Sequence, residues 1–252
     1  MTESTRINVG VRAFAALREA LGFAETTVSV ASGTDIAGLM TRLNELYPRA
    51  DLAAQRYGVA LNRSYAPLTA VLADGDEVAL IPPVSGGAAG EGAAGEGATG
   101  GGTAKLFEIS DQPLSLDDVM RRVVAPDLGG VTVFAGTVRG VTQRVGEDEI
   151  ATDYLEYEAY PEMAEEALAR IAAEAQARWP SVSAVSIVHR IGRLAVGDLA
   201  VVIAVAASHR RDTFDACHYT IDRVKQIAPI WKKEVGPDGS FWVEGPESSV
   251  TG

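Results

Sequence analysis

Lysine is scarce in this chain and unevenly placed. Of the 22 basic residues only Lys105, Lys225, Lys232 and Lys233 are lysines, and the last three fall within nine residues of one another. Unlike arginine, lysine can give up its proton when it is partly desolvated or crowded by other cations. That suits Lys225 and Lys232 to moving protons or to covalent chemistry; a basic surface loop is the plainer alternative. Upstream, Ser208-His209-Arg210-Arg211-Asp212 joins a wholly apolar run to a helical pattern. A helix N-terminus offers unpaired N–H groups and a partial positive charge, so His209 and Arg210 there suit a phosphate. A cap with surface ion pairs is the other reading. Arg139 sits in a glycine-flanked turn after Thr137 and Val138. Cys217 falls on an apolar seam and reads as inert core, while His189, within a strand, and His218, on a helix flank, read as structural. No spacing of metal ligands is visible, so no metal is expected.

A second kind of chemistry sits at Pro82 to Gly87, PPVSGG. From Ser85 to Ala104, nine of twenty residues are Gly and six are Ala. Such a stretch cannot bury enough apolar surface to offset the entropy of ordering it, which predicts a flexible tether. Gly86 and Gly87 are then either its first links or the end of a slim tail that threads a narrow channel. In the second case the tail presents a carboxyl terminus to an active site elsewhere.

The elements that must position these groups follow from periodicity. After the tether, Ser115 and Asp118 form a capping box for the helix LDDVMRRVV. GGVTVFAGTVRG is a strand running into the Arg139 turn, and Gln143 to Asp153 is a polar, acidic loop. LEYEAYPEMA passes from a strand into a helix begun by Pro161, with Ala164, Leu168, Ile171, Ala172, Ala175 and Trp179 on one face. Ser183 to Ile191 is a strand, Gly197-Asp198 a turn, and LAVVIAVAA a strand buried on both faces. The helix after Ser208 has the seam Phe214, Cys217, Ile221, Val224 and Ala228. Pro229 ends it, so Lys232 and Lys233 belong to the next segment, and periodicity leaves open whether Lys225 and Lys232 converge. PDG then turns into the strand SFWVE.

Before the tether, Arg6 to Arg12 and Thr26 to Val30 read as strands, and FAALREALG as a short helix closed by Gly22. Thr34 and Asp35 can cap a helix over Ile36 to Leu46. Val59 to Leu61 and Leu68 to Val71 read as extended, and the turn at Ala73 to Asp76 leads into EVALIPP. This order suggests a β-grasp sheet with its last strand central. Residues 1–87 contain no Lys, His or Cys, so any chemistry in them must sit on the tail.

Composition bounds the rest. At 252 residues with a central tether, two domains are expected: 1–87, a linker at 88–103, and 104–252. The net charge of −12 argues against a general nucleic-acid surface. No apolar run is long enough to span a membrane, and no secretion signal is visible at the N-terminus. A single cysteine excludes an internal disulfide and points to a reducing compartment, so a cytoplasmic location is expected.

The first part, ending in DGDEVALIPPVSGG, resembles the ubiquitin-like sulfur-carrier subunit of molybdopterin synthase. The second, through FAGTVRG, LEYEAYPEMA, HRIGRLAVGD, SHR and KQIAPIWKKE in this order, resembles the large catalytic subunit of the same enzyme. The resemblance implies an α+β protein: a ubiquitin-like β-grasp domain, the Gly/Ala-rich linker, and an α/β hammerhead domain that dimerises. It implies a sulfurtransferase that acts on cyclic pyranopterin monophosphate to form the dithiolene of molybdopterin. Its catalytic lysines fall on Lys225 and Lys232. Its anion- and substrate-binding residues fall on Thr137, Val138, Arg139, His209 and Arg210, with Lys225, Lys232, Lys233 and Glu234 completing the pocket. Sulfur would arrive as a thiocarboxylate on Gly87, with no other cofactor, after an adenylating and sulfurating enzyme had acted there. Family members end at that glycine, whereas here 165 residues follow it. An internal carbonyl cannot become a thiocarboxylate, so a processing protease cutting after Gly87 is expected. Intact, the tether would span about 20–25 Å as a random coil and keep carrier and catalyst together. The rival readings are an uncleaved, non-enzymatic scaffold and a carrier feeding sulfur to another acceptor.

Overall fold

The computed structural model describes residues 5–84, 105–142 and 150–243. Gly86, Gly87, the linker at 88–103 and residues 143–149 of the polar loop lie outside the described residues. What is described forms two compact units, one of residues 5–83 and the other of Val84 and the residues from Lys105 onward.

The first unit contains β1 (Arg6–Ala13), α1 (Ala15–Leu21), β2 (Glu25–Ala31), α2 (Ile36–Leu46), β3 (Gly58–Leu61), β4 (Ser64–Tyr65) and β5 (Glu77–Ile81). The sheet order is β2-β1-β5-β3-β4, with β5 central, parallel to β1 and antiparallel to β3. Alternation on β1 sends Ile7, Val9 and Val11 into a core shared with Ile36, Leu39 and Leu43 of α2. Gly22 closes α1 in the left-handed region, at φ 79°. Leu68 to Val71, expected as extended, turns at Leu68 and Thr69 and forms only one isolated bridge, Val71 with Asp35. It runs past the start of α2, where the carbonyls of Leu68 and Ala70 accept from the Ala37 and Ile36 N–H groups. The Asp35 carboxylate takes the next one, from Gly38, at 2.8 Å. These donors have no partner inside their helix, and satisfying them occupies the carbonyls that a sheet ladder would need.

The second unit contains β6 (Phe107–Ser110), α3 (Leu116–Arg121), β7 (Gly130–Thr137), β8 (Val141–Thr142), β9 (Ile150–Ala151), β10 (Tyr154–Ala159) and α4 (Pro161–Arg178). It continues through β11 (Val182–Arg190), β12 (Gly192–Ala195), β13 (Leu199–Ala207), α5 (Arg210–Ile227), β14 (Ile230–Gly236) and β15 (Gly239–Trp242). One four-stranded sheet runs β6-β11-β13-β7 and a second runs β12-β10-β14-β15. Strand β13 explains its own unbroken apolar sequence. Val201, Ile203 and Val205 pack beneath α4 and α5, while Val202, Ala204 and Ala206 meet Val119 and Val123 beside α3 on the opposite face. Ser115 caps α3, its hydroxyl accepting from Asp118 N–H.

The seam of α5 differs from its expected course. Cys217, Val224 and Ala228 are buried, but Phe214 is 61% exposed, and Thr213, Ala216 and Thr220 turn inward instead. The threonines can be buried because their hydroxyls are satisfied locally, donating at 2.7 Å to the carbonyls of Arg210 and Ala216. A clasp then fixes α5 to α4: Arg223 grips Glu174 through two nitrogens, at 2.9 and 3.2 Å, and Tyr219 donates to the same carboxylate at 2.8 Å.

Candidate active site

Topology sorts the candidate residues between two ends of the second unit. Strand β7 runs antiparallel to β13, pairing Thr137 with Leu199 and Gly130 with Ala207. Helix α5 then starts beside the far end of β13 and returns along the sheet. Thr137, Val138 and Arg139 therefore lie at the end where β13 begins, and α5 brings Lys225, in its last turn, back toward it.

The Arg139 turn is held by its neighbours. Val138 is buried with Leu155, Leu194 and Ala200. Its N–H donates to Asp198 O at 3.0 Å, and its carbonyl accepts from Gly197 N–H at 2.9 Å. The β7–β13 ladder shifts register between Leu199 and Val201, which leaves Ala200 free to pack against Val138. On the other side, Gly140 O accepts from Thr152 N–H at 3.0 Å. Arg139 itself is exposed between these two anchors.

Lys232 and Glu234 project from one face of β14, two residues apart as strand alternation requires. Their ion pair is 3.2 Å long, with side chains only 11% and 5% exposed. The second oxygen of Glu234 is buried without a hydrogen-bond partner among the described residues. Across the ladder, Tyr157 is directly opposite Lys232 and Leu155 opposite Glu234. Leu155 and Tyr157 also pack with Val138, so β10, the neighbour of the lysine strand, joins the Arg139 turn in one small apolar cluster. Lys233 lies on the opposite face of β14, its ammonium 5.6 Å from the Trp242 ring centre, with Glu156 its register partner on β10. The structure thus does not place it with Lys232 and Glu234.

His209 and Arg210 are elsewhere. His209 is the residue before α5, exposed and making no side-chain cap, and Arg210 is the first residue of the helix. Fifteen residues separate Arg210 from Lys225 along α5, which at 1.5 Å per residue is about 22 Å. Gly129 and Gly130 shape this distant end. Gly129 N–H donates to Ala207 O at 3.1 Å, and a Cβ on Gly129 would sit 2.5 Å from Ser208 O. A glycine is needed there for the two backbones to approach.

Other titratable groups are structural. His189 is buried edge-on against Tyr157, 5.0 Å between ring centres, with Nδ1 2.8 Å from Arg190 O. Burial lowers its pKa to about 4, so it is neutral near pH 7. Burial raises the Cys217 thiol to about 11, which leaves it unreactive. His218 is exposed beside Asp222, at 3.2 Å. Among the described residues no three His, Cys, Asp or Glu side chains cluster as metal ligands would. The sequence patterns put Tyr157, Arg190 and Asp198 in two strands and a turn, but give none of the three a role. Their roles come from strand register and from a turn, both set by partners distant in sequence.

Comparisons with known proteins divide the chain at the same place. The family model described as ThiS family matches residues 11–87, and that described as MoaE protein matches residues 109–227. The molybdopterin synthase catalytic subunit of Halalkalibacterium halodurans is 50% identical over 141 residues, which cover 56% of this chain and 86% of that protein. The subunit of the same name from Staphylococcus carnosus is 46% identical over 139 residues, covering 55% of this chain and 89% of the relative. Among solved structures, the X-ray crystal structure of molybdopterin synthase from Staphylococcus aureus is similar with a TM-score of 0.51 and 46% identity. It covers 55% of this chain and 97% of that one.

Proposed function

The chain belongs to the family of molybdopterin synthase catalytic subunits and carries a ThiS-family domain ahead of that unit, and from this we propose that it builds the molybdopterin dithiolene with sulfur borne on its own first domain. It is an enzyme of molybdenum cofactor biosynthesis with catalytic and carrier units in one chain. In this reading the substrate is cyclic pyranopterin monophosphate. Two sulfurs enter each product, so two carrier tails are used. Each tail arrives as a thiocarboxylate on Gly87 and leaves as a carboxylate, water supplying the oxygen. The ThiS-family match ends at residue 87, which supports Gly87 as the carrying residue. A protease must first cut after Gly87, and an adenylating, sulfurating enzyme must then act on the new terminus. No further cofactor is assigned.

The buried Lys232–Glu234 pair, set across the ladder from the two β10 residues, Tyr157 and Leu155, that pack on Val138 of the Arg139 turn, is the observation that carries this assignment to residues. Arg139 and the exposed Thr137 beside it receive the substrate phosphate. Lys232, held by Glu234, and Lys225, at the return end of α5, act on the pterin carbons that receive sulfur. Lys233 supports its strand from the far face.

His209 and Arg210 reach the same phosphate only if a second copy of the chain supplies them, because about 22 Å of helix separates them from Lys225. The active form is therefore a homodimer with each site shared between two chains. Lys232→Ala is expected to fold normally and lose most dithiolene formation, and His209→Ala to lose much of it. Co-expressing the two variants gives mixed dimers with one intact site, so activity returns in part. If the mixture is no more active than its parents, the shared site is wrong; wild-type turnover by Lys232→Ala removes that lysine from the mechanism.

A further inference from the structure

The segment HRIGRLAVGD contributes no residue to the proposed chemistry, yet it forms the frame of the site. Arg190, at the end of β11, is 15% exposed in its side chain, and its Nη1 lies 3.2 Å from Asp198 Oδ2. The same oxygen accepts from Ala195 N–H at 3.0 Å. Asp198 N–H returns a bond to Ala195 O at 3.0 Å, and Gly197 sits at φ 91°, so the turn from Ala195 to Asp198 is closed on itself. This closed turn grips both backbone groups of Val138. Leu194, immediately before it, is fully buried against Val138. A continuous set of bonds thus runs from the end of β11 through Arg190, Asp198 and Val138 to Arg139.

We propose that Arg190 and Asp198 are positioning residues that set the place of Arg139 by clamping the backbone of Val138. The inference rests on Arg139 binding the substrate phosphate. A guanidinium on an exposed turn gains affinity when its backbone is already fixed, because less freedom is lost on binding. Strand β7 ends at Thr137, so beyond the ladder the turn takes its order from Asp198 on one side and Thr152 on the other.

The test is binding of cyclic pyranopterin monophosphate to the full chain, followed by pterin fluorescence. Asp198→Asn keeps an oxygen for Ala195 N–H but removes the charge that holds Arg190. Its Kd is expected to rise about tenfold, while Arg139→Ala with Asp198→Asn binds no more weakly than Arg139→Ala alone. Arg190→Lys, which keeps a cation, recovers part of the affinity lost in Arg190→Gln. An unchanged Kd in Asp198→Asn, or a double variant that shows both losses in full, overturns the clamp. Should Asp198→Asn fail to fold, Arg190→Gln takes its place in the cycle with Arg139→Ala, and an unchanged Kd or fully additive losses there overturn the clamp equally. Wild-type binding by Arg139→Ala instead overturns the phosphate assignment itself, and the clamp with it.

Discussion

At the scale of single residues, burial decides what each ionisable group is for. Lys232 is nearly enclosed and paired to an equally enclosed carboxylate, whereas Lys105 pairs with Glu165 at the surface, 59% exposed in its side chain. His189 shows the same principle without catalysis. Its folded pKa, near 4, lies below the ordinary value of 6.5 because burial penalises the cation. The unfolded chain then binds more protons than the folded one between these values, so stability falls as pH drops from about 6.5 toward 4 and levels off below. The effect is at most about 3 kcal/mol. His189→Phe, which keeps a ring against Tyr157 and cannot titrate, should flatten this part of the profile in urea unfolding between pH 4.5 and 7. A variant with the same slope as wild type would mean that other groups set it. Residue types alone marked Lys225, Lys232, Arg139 and His209 as chemical. They left open which of these meet, since that depends on strand partners far away in the chain.

At the scale of elements, much of the fold was legible. The apolar run Leu199–Ala207 is a strand covered on both faces, and Pro161 starts α4 as its fixed φ favours. The central placement of β5 also follows from the order of elements. Two readings were overturned, both through backbone or hydroxyl groups that hydropathy does not weigh. Leu68 to Val71 gives its carbonyls to a helix rather than a sheet, and α5 turns two threonines inward in place of Phe214. Helical spacing drew Phe214 into the seam, but Thr213, one position earlier, bonds its own helix and also Thr132 of β7 at 2.6 Å. Phe214→Ser should accordingly change the stability of the isolated chain by less than about 0.5 kcal/mol, whereas Ile203→Ala should cost about 2–5 kcal/mol. Denaturant midpoints of the two variants check this. A large loss in Phe214→Ser for the monomer would restore that residue to the core.

At the scale of the whole molecule, two units with different work share one chain. The first has a core of its own and no Lys, His or Cys, so in the proposed function its part is carried by the tail that ends at Gly87. In the second, the Arg139 turn packs on the strand paired with Lys232 and Glu234, α5 returns Lys225 toward the end of β13 near that turn, and His209 and Arg210 stand at the opposite end of α5. Sequence order could not show that division, because 15 residues of helix look the same whether they join or separate two groups. The most direct test of the account follows the mass of the full chain during incubation with an adenylating enzyme, a sulfide source and cyclic pyranopterin monophosphate. The account predicts cleavage after Gly87, a carrier fragment heavier by the exchange of one oxygen for sulfur, and return of that fragment to its carboxylate mass as dithiolene forms. Dithiolene made by a chain that stays intact, or a cleaved carrier that never gains sulfur, would contradict it.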